Sequence, residues 1–438
     1  MLHRQFSISV REARLFAVLV SLFLTAAGVL PAEAQTYTVL HSFTDGTDGA
    51  IPNPIIRDAQ GNLYGTTKYG GNPSCGEDTC GTVFKVDSAG NETVLYRFEG
   101  GSNGTNPVAG LVRDAVGNLY GTTQGNGFIG GDSVIFKVDS NGQQTVLYVA
   151  ETPQASALDS PLALDAAGNL YGMSPYSGDS SCRKDGLGCG NLFRLSPSGE
   201  ITVLHAFTPT DGVQPEGGVV LDSKGNLYGR ANFGGDLSCE SAGYGYFVEG
   251  CGTIYKLDRT GKFTVLHTFT GAGDGSFPLG VIVDAVGNLY GIAQNGGNIV
   301  GDYLYGLGTV FKVDTNGQFS VLFSFEPCNQ PPCTQGQVLN PVYASHLIRD
   351  GQGNLYGLEQ SNDCAKGGGC LFRLDTKGNL TDLYDFEGEG ESTDGSTPMG
   401  VVFGSDDDVY GSMFIGGASN GGGFCTYGCG TVFHLSAH

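Results

Sequence analysis

The sequence predicts an all-β protein: a seven-bladed β-propeller with four-stranded antiparallel blades, in which the N-terminal strand closes the last blade. Three observations indicate this fold. One short motif recurs seven times, each recurrence carries four strand-like runs, and the two chain ends supply complementary strands. Such recurrence is typical of repeat architectures. The motif is Gly-Asn-Leu-Tyr-Gly, with a divergent last copy, and its tyrosines are Tyr64, Tyr120, Tyr171, Tyr228, Tyr290, Tyr356 and Tyr410.

Each repeat contains four short apolar runs. The first follows a proline, as at 110–112, and the second contains the motif itself. The third and fourth are typified by residues 81–86 (GTVFKV) and 93–96 (TVLY). Because β-branched and aromatic residues dominate the runs, and Gly, Asp and Pro bound them, we predict four strands per repeat.

The turns follow a second pattern, Asp-x-x-Gly, which separates runs one and two (58–61) and runs three and four (87–90). Asp folds onto its own backbone and Gly accepts a positive φ, so both turns are predicted to be tight hairpins. Strand direction alternates within a blade, which places all tight turns on one face of the ring, the tight-turn face. The long second-to-third connections and the links between blades share the other, loop-rich face, where we expect any binding.

The chain begins with a fourth-type strand at 38–43 and ends with a third-type strand at 430–435. Seven copies of each strand type exist only if the N-terminal strand completes the last blade, which would also hide two sheet edges. We therefore predict one domain over residues 35–438. Its blades are expected at about 54–98, 107–149, 161–207, 215–269, 278–325, 341–386, and 398–435 with 37–43.

Residues 1–34 have the features of a secretory signal peptide. Basic residues precede an apolar run at 15–30, and Ala32 and Ala34 fit a small-x-small cleavage site. The alternative, a retained membrane anchor, is less favoured because the apolar run is short for a bilayer span. The sequence therefore predicts a secreted or periplasmic protein with no transmembrane segment after cleavage.

The chain is strongly acidic, with 44 acidic and 22 basic side chains and a formal net charge of −22. This balance argues against nucleic-acid or anionic-membrane partners, which need Lys and Arg. It is compatible with calcium, with a cationic ligand, or simply with a solvated acidic surface. We expect a monomer.

Twelve cysteines form six pairs of near neighbours in the sequence. In an exported chain this pattern predicts six local disulfides that pin the loops of the loop-rich face. A metal site is the weaker interpretation, since Cys-x-x-Cys is absent. The predicted pairs are Cys75 with Cys80, Cys182 with Cys189, Cys239 with Cys251, Cys328 with Cys333, Cys364 with Cys370, and Cys425 with Cys429.

Polar residues present in only one repeat are the candidates for function. His346 stands where other first strands carry Pro or Gly, Glu359 replaces small residues at the end of a second strand, and Arg230 replaces Thr. A histidine with nearby carboxylates could hold a metal or act as acid and base. The alternative is that these are tolerated substitutions.

Three other histidines fill a position that is aromatic in other repeats, so we interpret them as packing residues. They are His41, His205 and His267.

A second candidate is the segment Asp-Gly-x-x-Pro that enters several first strands. Its aspartates could form a ring of oxygen ligands for calcium at the channel mouth, and we predict no other cofactor. The segment could equally be a turn that ends in proline. The aspartates are Asp48, Asp211, Asp274 and Asp394.

With its unit written as D-x-x-G-N-L-Y-G-T-T…G-T-V-F-K-V-D…T-V-L-Y-x-F…D-G-x-x-P, the chain resembles the Gloeobacter/Verrucomicrobia (GloVer) tandem repeat family. Copies at 61–98 and 287–325 carry the resemblance most specifically. Members of that family are exported bacterial proteins with variable C-terminal anchors. The resemblance implies an extracytoplasmic setting and brings no activity or catalytic residues.

Three functions remain open. We favour a binding or scaffold module that recognises a glycan or an envelope protein through the loop-rich face. The alternatives are a hydrolase, lactonase or lyase with a site around His346 and Glu359, and a purely structural repeat, because propellers host all three. An enzyme requires acids and His346 to converge in a deep pocket, whereas a binding module requires exposed aromatic or polar groups on a broad face.

Overall fold

The computed structural model describes residues 35–75, 80–125, 133–150, 158, 160–182, 186–239, 250–298, 306–327, 337–338, 347–359, 364, 366–388, 394–405, 407–417 and 425–436. The predicted signal peptide, His346 and the Cys328–Cys333 pair lie outside these residues. None of the described helices has the length and apolar character needed to cross a membrane.

The strands form seven antiparallel sheets arranged as seven blades. Blade 1 contains β2 (Ala50–Pro52), β3 (Ile56–Arg57), β4 (Leu63–Tyr69), β5 (Thr82–Val86) and β6 (Glu92–Arg97); blade 2 contains β7 (Val112–Arg113), β8 (Leu119–Thr122), β9 (Val134–Val138) and β10 (Gln144–Val149); blade 3 contains β11 (Ala163–Leu164), β12 (Leu170–Ser174), β13 (Asn191–Leu195) and β14 (Ile201–Ala206); blade 4 contains β15 (Val213–Leu221), β16 (Leu227–Phe233), β17 (Thr253–Leu257) and β18 (Phe263–Thr268).

The second half of the chain repeats this order. Blade 5 contains β19 (Ser276–Val283), β20 (Leu289–Asn295), β21 (Thr309–Val313) and β22 (Phe319–Ser324); a parallel pair, β23 (Glu326–Pro327) and β24 (Gln337–Val338), follows; blade 6 contains β25 (Leu347–Arg349), β26 (Leu355–Glu359), β27 (Gly367–Leu374) and β28 (Leu380–Glu387); blade 7 contains β29 (Ser396–Phe403), β30 (Val409–Ile415), β31 (Thr431–Leu435) and β1 (Tyr37–Ser42). Short 3-10 helices lie at Pro73–Cys75, Gly101–Asn103 and Ser180–Cys182.

Blade 7 closes the ring with both ends of the described chain. β1 pairs antiparallel with β31, so that Tyr37 lies opposite Leu435 and Ser42 opposite Thr431. The Tyr37 ring also stacks on Phe433, with 5.3 Å between ring centroids. The predicted fold class is therefore confirmed: the chain is an all-β seven-bladed propeller whose N-terminal strand completes the last blade.

The Asn and Tyr of the recurring motif serve the first tight turn. In blade 1, one Asp58 carboxylate oxygen accepts the backbone N–H groups of Gln60 and Asn62, and the other accepts the Asn62 amide and the Tyr64 hydroxyl. Equivalent Asp, Asn and Tyr groups bond in blades 2 to 6. The side chains of each motif thus satisfy the hydrogen-bonding groups of the half-buried turn beside it.

The glycine that follows the tyrosine makes room for an aromatic ring. A Cβ at Gly121 would come within 2.7 Å of Phe136 Cζ, which projects from the third strand of the same blade. The buried Phe98, at the end of the fourth strand of blade 1, packs edge-on against Phe136 at 5.1 Å. Aromatic rings therefore fill the wedge between blades, and the same kind of pair recurs as Phe43–Phe84, Phe207–Tyr255, Phe269–Phe311, Phe325–Phe372 and Phe386–Phe433.

A second contact between blades lies on the loop-rich face, and we call it the inter-blade joint. The backbone N–H of Phe277, in blade 5, donates to the Cys251 carbonyl of blade 4 at 3.0 Å. The next residue, Pro278, packs against Gly252, where a Cβ would lie 2.7 Å from its Cδ. The same hydrogen bonds join Asn106 to Cys80, Gln214 to Cys189, and Ile51 to Cys429.

The residue that donates in the joint adopts a left-handed backbone conformation. Such a φ is rare for a residue other than glycine, above all before proline, and strain of this kind costs about 1–3 kcal/mol per residue. The hydrogen bond to the preceding blade and the packed proline hold each residue in place. The donating residues are Ile51 (φ 58°), Asn106 (54°), Gln214 (57°) and Phe277 (55°), and Thr397 (59°), which precedes Pro398, has the same conformation.

Alanine substitutions at two glycines of blade 4 test the joint. Gly252 and Gly261 have similar positive φ angles of 95° and 87°, but only Gly252 faces the next blade, since nothing lies within 4 Å of a Cβ at Gly261. Gly261→Ala should cost about 1–2 kcal/mol for the left-handed conformation alone. Gly252→Ala should cost a further 1–3 kcal/mol or so, because its methyl group overpacks both Pro278 of the joint and the Ala231 carbonyl of its own blade. Urea unfolding measures both; equal losses would show that the joint adds nothing.

Candidate functional site

Disulfides pin the base of the connections on the loop-rich face. Five of the six predicted pairs are joined: Cys75–Cys80, Cys182–Cys189, Cys239–Cys251, Cys364–Cys370 and Cys425–Cys429. Structural disulfides of this density are typical of an oxidising, extracytoplasmic compartment. The second cysteine of four of these pairs also supplies the carbonyl of an inter-blade joint, so each disulfide fixes a loop to the frame of the ring.

Arg230, predicted from the repeat comparison, lies in a polar cluster of blade 4. Its side chain is buried, and a Cβ at Gly217 would come within 2.9 Å of its Nε and Nη2 atoms. Glu216, on the adjacent strand, lies opposite Arg230 in the strand register. The Glu216 carboxylate accepts the Asn232 amide at 2.8 Å and also the Gln214 amide. We call Gln214, Glu216, Arg230 and Asn232 the blade 4 cluster.

Gln214 is the member of the blade 4 cluster that has an unsatisfied hydrogen-bond acceptor. Its side chain is 8% exposed, and its Oε1 atom is buried without a hydrogen-bond partner in the described part of the chain. Its amide nitrogen reaches the Tyr176 hydroxyl of blade 3 at 3.4 Å. A buried polar atom without a partner is costly, so this oxygen is an acceptor whose hydrogen bond the described part of the chain leaves unmade.

A central cavity adjoins the blade 4 cluster. Its volume is about 200 Å³, and it is lined by first-strand residues of blades 3 to 6 that include Pro161, Gly217, Gly218 and Leu347. Pro and Gly repeat around this ring: a Cβ at Gly218 would lie 3.0 Å from the Pro161 carbonyl. The small residues bring the first strands close together and leave a narrow apolar cavity, with the cluster as its polar neighbour.

Of the two candidate residues of blade 6, Glu359 and His346, only Glu359 is among the residues that the structure describes. His346 lies outside the described residues, so its role stays a prediction. Glu359 is buried at the end of β26, with Oε2 3.7 Å from the Cys370 sulfur. Ligand atoms of Glu359, Cys364 and Cys370 lie within 4.8 Å of one another, but the two sulfurs form a disulfide, and metals bind the thiolate. Arg230 and Glu359 stand in different blades, each in its own surroundings.

The aspartates predicted as calcium ligands bond to the fourth strand that precedes them. Asp211 and Asp274 lie 3.0 Å from the ring Nε2 atoms of His205 and His267. Asp394 accepts the Tyr384 hydroxyl at 2.6 Å, and Asp48 lies 3.6 Å from His41 Nε2. These aspartates therefore have intramolecular partners in separate turns. Calcium binding by the four stays a prediction.

The histidines of this slot lie between two blades. The His267 ring stacks on Phe319 of blade 5 at 3.6 Å, and its Nε2 atom lies 3.0 Å from Asp274 Oδ2. Burial alone would raise the pKa of Asp274, but hydrogen bonds from His267 and Thr270 hold the pKa of that carboxyl below its ordinary value. His267 is thus both a packing residue and a polar link between blades.

Sequence reasoning missed several site residues. Glu216 directly follows Pro215, where other first strands carry Asn53, Val108, Leu279 or Met399, so the same comparison of repeats could have identified it. Two clefts between blades on the tight-turn face were also not predicted from the sequence. One lies between blades 5 and 6 and has a volume of about 350 Å³, and the other lies between blades 4 and 5. Two blades build each cleft, and their juxtaposition is not visible in a single repeat.

Comparisons with known proteins support the family and the fold. A family model described as the Gloeobacter/Verrucomicrobia repeat matches residues 28–242 and 188–340, which is more than half of the chain. No curated protein sequence matches significantly.

Among solved structures, the chain is similar to the WD40 β-propeller domain of Doa1, with a TM-score of 0.52 and 13% identity over 92% of this chain and 97% of that one. It is also similar to the extracellular domains of the hybrid two-component system BT3049 and the one-component system BT4673, both from B. thetaiotaomicron. The TM-scores are 0.51 and 0.50, and the identities are 11% and 13%. In both cases 92% of this chain is covered, while the chain spans only about two fifths of those longer domains (41% and 42%). At these identities the likeness shows the fold alone.

The link between Asp274 and His267 should make stability depend on pH. Because the pKa of Asp274 is lowered on folding, its carboxylate stabilises the protein above the unfolded pKa near 3.9, and this contribution is lost as pH falls through the folded value. Asp274→Asn should therefore lower the free energy of unfolding by about 1 kcal/mol at neutral pH and by much less near pH 2. Urea unfolding across this range measures the difference.

His267→Phe serves as the companion variant, since it keeps an aromatic ring against Phe319 while removing the hydrogen bond to Asp274. It should reproduce part of the loss at neutral pH. A deficit in Asp274→Asn that is unchanged between pH 7 and pH 2 would show that the charge of the carboxylate is not its cause.

Proposed function

The chain belongs to the Gloeobacter/Verrucomicrobia repeat family, and from that premise we propose that it is an extracytoplasmic binding propeller. Its ligand is a glycan or another envelope protein, taken up on the loop-rich face. We further propose that the protein is secreted or periplasmic, acts as a monomer and has no nucleic-acid partner.

The observation that carries this proposal is the unpaired Oε1 of Gln214 in the blade 4 cluster, beside the central cavity. Ligand sites combine apolar walls with a few placed polar groups, and the cavity and the cluster supply one of each. The cluster combines the Glu216 carboxylate, which accepts the Asn232 and Gln214 amides, with the unpaired Gln214 Oε1 and the buried Arg230 side chain. A hydroxyl-rich ligand, such as a sugar, has the donors and acceptors to match these groups.

An exposed aromatic residue on the same face supports the proposal. Tyr427 is 50% exposed and lies within the short ring closed by Cys425–Cys429. Its carbonyl accepts the Gly416 N–H at 3.1 Å, so the backbone under the ring is fixed. A rigid exposed tyrosine offers a large contact area at a small entropic cost, as binding surfaces do.

Single substitutions on the two faces test the proposal. The purified protein would be applied to a glycan array and, in parallel, to an immobilised cell-envelope protein fraction. Asn232→Ala and Tyr427→Ala should each weaken the binding that appears, Asn232→Ala by about tenfold, because it removes the amide that orients the Glu216 carboxylate. Val286→Ala is the control, since Val286 is 66% exposed and belongs to a tight turn on the opposite face.

The glycan array and the protein fraction distinguish the two ligand classes. Binding that is lost in both test variants and kept in Val286→Ala supports the loop-rich face as the binding surface. Binding that survives both substitutions, or the absence of any ligand on either surface, would contradict the proposal.

A further inference from the structure

The cleft between blades 5 and 6, which we call the blade 5–6 cleft, opens on the tight-turn face and has a volume of about 350 Å³. Three cationic side chains line it: Lys312, Arg349 and Lys377. Apolar side chains, among them Leu322, Leu355 and Leu374, form the rest of its wall. Its volume is near the lower end of the range, about 300–1,000 Å³, of pockets that hold small organic ligands.

The cations of the blade 5–6 cleft form no close ion pair with the described residues. Among the described residues, no carboxylate lies within 4.0 Å of the charged nitrogens of Lys312, Arg349 or Lys377. The lining carboxylate, Asp375, accepts the N–H groups of Lys377 and Asn379 and the Asn379 amide, so it is committed to its own turn. The chain has 22 basic residues against 44 acidic ones, so a cleft lined by three cations and one carboxylate reverses the overall balance of charge.

Arg349 is fixed in a defined orientation. Its guanidinium carbon lies 5.2 Å from the centre of the Tyr290 ring, and Lys312 Nζ lies 5.7 Å from the same ring. A Cβ at Gly353 would come within 2.9 Å of Arg349 Nη2, so the glycine of the tight turn makes space for the guanidinium. The Arg349 Nε is buried without a hydrogen-bond partner in the described structure. A preorganised guanidinium group is suited to a bound anion.

Two other junctions carry the same arginine but not the same charge. Arg57 lies over Tyr410 at 5.3 Å and Arg113 over Tyr64 at 5.4 Å, each beside the glycine of its own turn. At the junction of Arg57, the third-strand residue is His434, which is paired with Asp408 at 3.0 Å. The turns facing Arg57 and Arg113 carry no counterpart of Lys377, since residues 88–89 are Ser and Ala and residues 140–141 are Ser and Asn.

We propose that the blade 5–6 cleft is a second binding site, on the face opposite the loops, for a small organic anion with two or more negative charges. A ligand that balances the charge of the three cations has more than one carboxylate, sulfate or phosphate group. The leucine wall requires a carbon skeleton, which a bare inorganic ion lacks. This site does not depend on the ligand of the loop-rich face.

Isothermal titration calorimetry of the full purified protein at low ionic strength tests the site. The probes are citrate and glucarate as organic polyanions, sulfate as an inorganic anion, and glucose as a neutral molecule of similar size. Citrate or glucarate should bind in the millimolar range or better, more tightly than sulfate, and glucose should not bind. The affinity should fall as sodium chloride is added, because the attraction is electrostatic.

Charge-removing variants locate the site. Lys377→Gln and Arg349→Gln should each weaken anion binding by about tenfold, as loss of a charged hydrogen-bond donor does. Arg57→Gln and Arg113→Gln are matched controls at the same strand position and should leave the affinity unchanged. Lys377 is exposed in its turn, so its variant reports on binding even if Arg349→Gln fails to fold.

Three results would overturn the proposal. They are the absence of binding by both organic anions at millimolar concentration, sulfate binding as tight as that of citrate or glucarate, and equal weakening by Arg57→Gln and Lys377→Gln.

Discussion

The inter-blade joint is the contact on which the rest of the ring depends. A carbonyl of one blade accepts the N–H of a left-handed residue in the next, and the following proline packs against the glycine beside that carbonyl, as Cys251, Phe277, Pro278 and Gly252 illustrate. The joint couples three elements that would otherwise be separate: the disulfide of a loop, the start of a first strand and the spacing of two blades. A left-handed residue before proline is costly in isolation, so its recurrence indicates that the closed ring holds it in place.

The joints and the aromatic pairs between blades stabilise the ring at two different levels of the molecule. Pairs such as Phe269–Phe311 fill the space between neighbouring sheets and contribute apolar burial together with favourable edge-to-face geometry, about 0.5–1.5 kcal/mol per pair beyond the buried area. The joints act above them, at the loop-rich end of the strands. One junction departs from the pattern: Ala150 follows β10 of blade 2 where other blades carry phenylalanine, and it packs with Leu158 and Phe193 instead. Aliphatic side chains replace the aromatic pair there.

The sequence predicted the fold well because the features that define it are local. Hairpins, strand lengths and the count of strand types follow from short patterns, and the closure by β1 follows from that count. The site was predicted only in part. Arg230 was found because it breaks the repeat, but Gln214 and Asn232 of the same cluster come from two strands whose pairing includes a bulge between Glu216 and Val220. The histidines were correctly read as aromatic packers, but their hydrogen bonds to Asp211 and Asp274 were not predicted, because each joins a bulged fourth strand to the turn that follows it.

In a repeat protein, a functional residue differs from a structural one in its surroundings as well as in how often it recurs among the repeats. Arg57, Arg113 and Arg349 occupy the same position and make the same contact with a tyrosine ring, so none of them is exceptional by itself. What differs is the neighbouring charge: Lys377 adds a second lysine beside Arg349 and Lys312, whereas the turns near Arg57 and Arg113 have no lysine at that position and the histidine near Arg57 is paired with an aspartate. The same reasoning applies to blade 4, where Glu216 changes the role of a buried arginine from a lone substitution to a member of a polar cluster. Function in such a ring arises at junctions, because only there do two different repeats combine their substitutions.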